Sequence, residues 1–220
     1  AIKEDQIPLN EALKNYRNDF LKYKTSGDGL YADGSFIQHK NHPYNNWYGA
    51  LFINRVAEIS YLLLKSGVIT ANEGNTLYQM YKNAYQPLKF NKEAMDLAMG
   101  RISSRPRNNI TTNGVSGLST ALVISRLVKG DAYKYMAEDI LRTTGGSNYT
   151  SSITNIIWSN EIAKDPSITK PVSTYTITKS FPRMDKAVMI KPDYTYAISM
   201  SSSRTYNYET IDGVNKKAWY

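Results

Sequence analysis

The chain has 220 residues, 41% of them hydrophobic, and a formal net charge of +8. That is enough apolar material for one large or two small globular domains, and it excludes a disordered tail. A basic balance of this size favours polyanionic partners without choosing among nucleic acid, anionic lipid and acidic polysaccharide, while zero cysteines exclude a disulfide scaffold and a thiolate metal site.

In chain order, the first two-thirds has a helical period. Leu9, Leu13, Tyr16 and Phe20 share one helix face; Phe52, Val56, Ile59 and Leu63 form a second, and Leu77, Tyr81, Ala84 and Leu88 a third. A breaker-rich stretch, RISSRPRNNITTNGVSG, follows, and after it ALVISRLVKG and DAYKYMAEDILRTTGG resume the pattern, with Tyr133, Met136 and Ile140 in phase and the glycines as a C-cap. About five or six helices are expected. From near Ser167 the period falls to two: Tyr194, Tyr196, Ile198 and Met200 alternate with Thr195, Ala197 and Ser199, and Pro166, Pro171, Pro182 and Pro192 punctuate short extended pieces. Helices followed by strands predict an α+β arrangement, with a hinge between about Asp165 and Pro171. No apolar run approaches the ~20 residues that span a bilayer, and the first residues have neither a basic start nor an apolar core of a leader, so no membrane insertion is expected.

Chemistry concentrates in the polar loops. GDGLYADGSFIQHKNHPYNNWYG, between the first two helices, holds both histidines of the chain, His39 and His42, together with Tyr44 and Tyr48. A connector of this length is more often functional than not. Histidine suits proton transfer near neutrality, and a tyrosine beside cations can exchange a proton with an ether oxygen. A second loop, GRISSRPRNN, gathers Arg101, Arg105 and Arg107, whose planar forks match a carboxylate or sulfate. Asp28 and Asp33 look like a paired-carboxylate site, but each lies in an Asp-Gly turn where backbone chemistry explains it. Nothing resembles a nucleic-acid-binding motif.

These runs resemble the hyaluronate, chondroitin and xanthan lyase family, polysaccharide lyase family eight, and most of all its hyaluronate lyase type. DGSFIQH, then Asn41, then PY and YG, is similar to the family segment in which a histidine and a tyrosine flank the cleaved bond, here His39 and Tyr48. GRISSR, Gly100 to Arg105, is similar to the family's arginine motif, and Met184 to Tyr220, with MDKAV, AISMSSSR, NYE and VNKKAWY, to the start of its β-sandwich. The resemblance implies part of an incomplete α/α toroid over residues 1–165 and the first strands of an antiparallel β-sandwich over 166–220. It implies β-elimination at a uronic acid, most readily of hyaluronan, with chondroitin or xanthan also in range. His39 would be the base or the partner on the carboxylate side, Tyr48 the acid at the glycosidic oxygen, a residue that in some relatives serves as both acid and base, and Arg101 the cation that favours tyrosinate. Arg105, Asn41, Asn46 and Trp47 would hold substrate. The resemblance calls for no metal and no cofactor, an acidic polysaccharide as partner rather than nucleic acid, a secreted or cell-surface location, and further segments of the same enzyme.

Two departures bear on activity. The family's carboxylate-neutralising asparagine, in an Asn-Trp-Trp run, has no counterpart here, and Val214 in Asp212-Gly213-Val214-Asn215 stands where a glutamate of an Asn-x-Glu-Asn motif is expected. The isolated chain is therefore expected to have little or no activity. The alternative reading is a truncated or inactive relative that binds acidic polysaccharide.

Overall fold

A computed structural model describes residues 6–90, 93–104, 108–144, 152–169, 176–206 and 209. Arg105, Arg107, Pro171 and Val214 lie outside the described residues.

The helical part opens with α1 (Gln6–Asn15), which runs into a π-helical turn, Tyr16–Phe20. A small antiparallel sheet follows, β1 (Gly29–Leu30), β2 (Phe36–Gln38) and β3 (His42–Pro43), and a second π-helical turn, Asn45–Gly49, feeds α2 (Ala50–Lys65). Next come α3 (Ala71–Ala84), the hairpin of β4 (Lys89–Phe90) and β5 (Glu93–Ala94), and a 3₁₀ turn at Gly100–Ser104. α4 (Asn108–Ser125), α5 (Gly130–Thr144) and α6 (Ile153–Lys164) complete this part. α2 packs on α4 and α4 on α5, around Ile53, Leu77, Leu122, Ile124 and Met136, all at most 1% exposed. Thr70 and Glu73 form a capping box that starts α3.

The period read from the sequence therefore lands on helices, with differences: Leu88 lies beyond α3 in the 3₁₀ turn Gln86–Leu88, and Leu9 and Ile59 are exposed. The stretch ITTNGVSG, read as a break, is helix: α4 starts at Asn108 and runs through it. Threonine, asparagine and glycine lower intrinsic propensity by a few tenths to about 1 kcal/mol each, which tertiary packing of the helix overrides. Leu118, Ala121 and Leu122 of its second half are buried.

The last part is the antiparallel sheet β6 (Ile177–Phe181), β7 (Lys186–Ile190) and β8 (Thr195–Ser199), in that spatial order. β7 alternates buried and half-buried, whereas the alternation of β8 meets nothing: Tyr196 is 60% and Ile198 39% exposed. The fold is α+β, and every described sheet is antiparallel. Apolar faces are likewise left open on the helices, at Leu51, Ile59 and Leu62 of α2 and at Ile153 and Ile157 of α6. That fits an arc of helices from an incomplete ring, with α2 and α6 each presenting a second apolar stripe.

Candidate active site

The long loop between α1 and α2 is a folded unit, because its side chains satisfy its backbone. The Asn45 carboxamide accepts from the Phe36 N–H (2.8 Å) and donates to the carbonyls of Gly34 (2.7 Å) and Ala84 (2.9 Å), which ties the loop to the end of α3. Asp33 accepts from the Ser35 N–H and hydroxyl. Asp28 accepts from the backbone N–H groups of His39 (3.0 Å) and Lys40 (3.1 Å). Both residues sit in the left-handed region, with φ of 53° and 78°, and such a pair costs of order 1 kcal/mol or more each unless braced. The two aspartates thus perform the backbone work read from their turns, and Asp28 holds His39 in a conformation it would not adopt alone. The adjoining π-helical turn carries Asn46, Trp47 and Tyr48. Such turns often mark functional positions.

His39, Tyr44, Tyr48, Arg101 and Glu209 converge. His39 Nδ1 is 2.6 Å from Glu209 Oε1, and Arg101 Nη1 donates to the same oxygen at 3.1 Å. Arg101 Nη2 donates to the Tyr48 hydroxyl at 3.1 Å. The Tyr44 hydroxyl donates to Glu209 Oε2 and accepts from the Arg101 N–H at 3.3 Å. The imidazole ring lies 5.2 Å from the Tyr48 ring and 5.5 Å from that of Tyr44, centroid to centroid. A carboxylate only accepts, so Nδ1 of a neutral His39 carries the proton and Nε2 is the atom able to take another. The His39 side chain remains 33% exposed beside a carboxylate that is 5% exposed.

Electrostatics follow from this wiring. Burial works against the Glu209 charge, but hydrogen bonds from Tyr44 and His39 and the positive charge beside it outweigh burial and hold its carboxyl below the usual glutamate value. Burial, then the hydrogen bond and charge of Glu209, push the Tyr44 hydroxyl well above the ordinary tyrosine value, so it stays a proton donor. Burial acts against the Arg101 charge, and the charges of Glu209, Tyr44 and Tyr48 more than offset it. Gly100, with φ of 54°, lies flat on the Tyr44 ring: a Cβ there would come within 2.1 Å of Cζ.

Three of the sequence-predicted site residues, His39, Tyr48 and Arg101, therefore share one partly open centre. The other described ones have different surroundings. Asn46 is 5% exposed and its side chain donates to the carbonyls of Leu88 (3.3 Å) and Met95 (2.8 Å), so its Nδ2 fastens the π-helical turn to the two ends of the β4–β5 hairpin. Trp47 is half-buried against the main core. Asn41 accepts at its carbonyl from the Tyr206 N–H (3.0 Å) and at Oδ1 from Arg183 (3.4 Å). Val214 lies outside the described residues, and a carboxylate is present at the centre from another position, Glu209 in the run Asn207-Tyr208-Glu209. The sequence shows this glutamate only as part of the NYE run that resembles the start of the β-sandwich, five positions before Val214, with nothing that ties it to His39. Tyr44 was noticed without being given a role. Among the described residues no group of three or more His, Asp or Glu side chains is arranged to hold a metal ion.

Comparison with known proteins places this geometry. Residues 1–142 match the polysaccharide lyase family 8 N-terminal alpha-helical domain, and residues 176–220 match the family 8 super-sandwich domain. The chain belongs to polysaccharide lyase family 8. Over its whole length it is 30% identical to the xanthan lyase of Bacillus sp. (strain GL1), of which it covers 24%. Over 91% of its length it is 29% identical to the hyaluronate lyase of Thermasporomyces composti, covering 27% of it. The solved structure of Paenibacillus xanthan lyase superposes with a TM-score of 0.81 at 29% identity, over 92% of this chain and 20% of that one. Streptomyces coelicolor A3 chondroitin AC lyase in complex with chondroitin sulphate gives 0.76 at 25%, over 97% of this chain and 31% of that one. The chain thus spans about a quarter of the length of these family members.

Proposed function

We propose that these residues form the reaction centre of a lyase that cleaves a uronic-acid-containing polysaccharide, hyaluronan first among the candidates, by β-elimination. The observation that carries the reading is the chain of contacts Glu209–His39 and Glu209–Arg101–Tyr48, which sets a proton acceptor and a proton donor on neighbouring rings 5.2 Å apart. In the step, the C5–H bond breaks and its electron pair becomes the C4=C5 double bond. The C4–O bond breaks, the leaving oxygen takes a proton, and no water is consumed. His39, with Nδ1 tied to Glu209, takes the C5 proton at Nε2, and the imidazolium so formed is stabilised by the carboxylate it already touches. Tyr48 delivers a proton to the leaving oxygen, and Arg101, 3.1 Å away, stabilises the tyrosinate left behind. Such acid–base contributions run to about 10²–10⁴ each in rate.

The same Arg101 contact supports a second reading, in which tyrosinate is itself the base and Tyr48 plays both parts. The negative charge that builds on the substrate carboxylate needs a neutraliser, which we assign to segments of the enzyme beyond these residues, as we do the rest of the polymer's binding track. Arg105 and Trp47 are kept as substrate contacts, residues 1–165 and 166–220 as the two domains, and a secreted or cell-surface location as the setting. The test is the appearance of unsaturated uronate absorbance when the native polypeptide meets hyaluronan, chondroitin or xanthan-derived oligosaccharides. Tyr48→Phe then separates the two mechanisms: exchange of the C5 proton with solvent persists if His39 is the base and stops if Tyr48 is. No absorbance with any of the three substrates would reject the lyase reading in favour of a binding module.

A further inference from the structure

Glu209 belongs to the strand part of the chain, yet its carboxylate works among residues of the helical part. The stretch Met200–Tyr206, which leads to it from β8, crosses onto the site loop, and one residue touches both the crossing and the loop. Arg183, in the 3₁₀ turn Pro182–Met184 between β6 and β7, donates from its backbone N–H to Asp33 Oδ2 at 2.7 Å. Its guanidinium lies over the Tyr31 ring, 5.0 Å from the centroid, with Nη2 3.4 Å from Asn41 Oδ1 and Nη1 3.1 Å from the Arg204 carbonyl. Its own carbonyl accepts from the Thr205 hydroxyl. Asp185, two residues on and left-handed at φ 52°, takes the Met200 N–H on its carbonyl (2.9 Å) and Ser202 Oγ and Arg204 Nη2 on its carboxylate. One short turn therefore grips the crossing stretch on one side and the site loop on the other.

We propose that Arg183 is a positioning residue for the reaction centre: it docks the crossing stretch on the site loop and thereby sets Glu209 against His39. This deepens the lyase reading and rests on it. The stretch is fastened to the loop at Tyr206, by its N–H on the Asn41 carbonyl and its ring 5.2 Å from that of His42. Two residues separate that anchor from Glu209, at most ~10 Å of chain from one Cα to the other. A shift of the anchor is therefore passed to the carboxylate with little slack, and a misplacement of ~1 Å at a reacting group can cost about 10²-fold in rate. Both halves of the guanidinium fork are engaged while its plane covers an aromatic ring, a combination an ammonium cannot reproduce.

The experiment is a double-mutant cycle in the full native polypeptide: the parent, Arg183→Ala, Glu209→Gln and both together, read as kcat and KM for unsaturated-product formation, with Arg183→Lys beside them and the melting temperature of each recorded. Arg183→Ala should lower kcat by about 10- to 100-fold with little change in KM. The lysine variant should fall between, and the alanine change should cost less than about threefold once Glu209 is Gln. An equal loss in both backgrounds would overturn the proposal, since Arg183 would then not act through Glu209. If the alanine variant does not fold, the lysine variant decides on the same criterion. A second readout does not depend on turnover, namely the downfield imidazole N–H resonance that a histidine bonded to a carboxylate displays, assigned by its loss in His39→Gln. It should broaden or vanish in Arg183→Ala and Arg183→Lys, and its persistence unchanged in both would overturn the proposal as well. A parent that displays the resonance but yields no unsaturated product defeats the lyase reading and leaves the positioning role standing.

Discussion

Asp139 and Glu209 each meet a cation and a tyrosine hydroxyl. Asp139, on α5, accepts from Lys89 Nζ at 2.9 Å and Tyr81 at 3.0 Å, and Lys89 also donates to the Tyr81 oxygen at 2.7 Å. Glu209 accepts from Arg101, Tyr44 and His39. The difference lies in access. The Asp139 and Lys89 side chains are 1% and 9% exposed, whereas Arg101 and His39 keep 21% and 33%. A sealed carboxylate joins α3, the β4 hairpin and α5, and has no route to a polymer. The open one adds an imidazole and a second phenol at the mouth. The inventory of charged groups is shared, and what separates scaffold from reaction centre is a path for substrate and a group that changes protonation.

Several measurements can break that contrast, the largest first. Tyr48→Phe in the native polypeptide should lower kcat by about 10²–10⁴ with a modest change in KM, because the ring remains and only the proton is lost. Retention of most of kcat would make this tyrosine a packing residue like Tyr81. Asp139→Ala should act on the other axis, with about 3–5 kcal/mol lost in denaturant melts because Lys89 is left buried without its carboxylate, while the folded fraction keeps its turnover rate per molecule.

Smaller effects concern pH and position. The Glu209 carboxyl titrates below its ordinary value, so its contribution to stability is fully present above the unfolded glutamate value of ~4.3 and is lost as pH falls through the lower folded value. Melts of the parent and of Glu209→Gln should converge on acidification. Burial lowers Lys186 on β7 to about 8, the opposite case. The unfolded chain binds the extra proton between that value and ~10.4, so stability should rise with pH across this window, and Lys186→Met should be more stable than the parent at neutral pH by on the order of 1 kcal/mol, a gap that closes in alkali. Last, His42→Ala should leave kcat near the parent value, since the Tyr206 N–H bond to the Asn41 carbonyl still holds the crossing stretch, and should cost about 1 kcal/mol in stability through the lost ring contact with Tyr206 and the lost bond to the His39 carbonyl.

The helix faces and the switch to period two were legible because each repeats over several turns or strands. The small sheet in the site loop was not, since strands of two or three residues are too short to display a period, and its order comes from Asn45, Asp28 and Asp33. The His39, Tyr48 and Arg101 grouping was legible through motif resemblance. Glu209 was not, because the chain reaches the site from the sheet side and only the fold brings positions 39 and 209 together. Asn46 shows another limit: the sequence does not reveal that its Nδ2 is taken by carbonyls that flank the β4–β5 hairpin.

Gly100 has a consequence for anyone who would build variants of this site. Because even one added carbon would overlap the Tyr44 ring, position 100 sits behind both the phenol that orients Glu209 and the backbone N–H of Arg101. In a saturation library that codon should tolerate no replacement, although it touches no substrate. Diversity introduced there would read as a lost function when it is lost alignment, so the glycine should be held fixed.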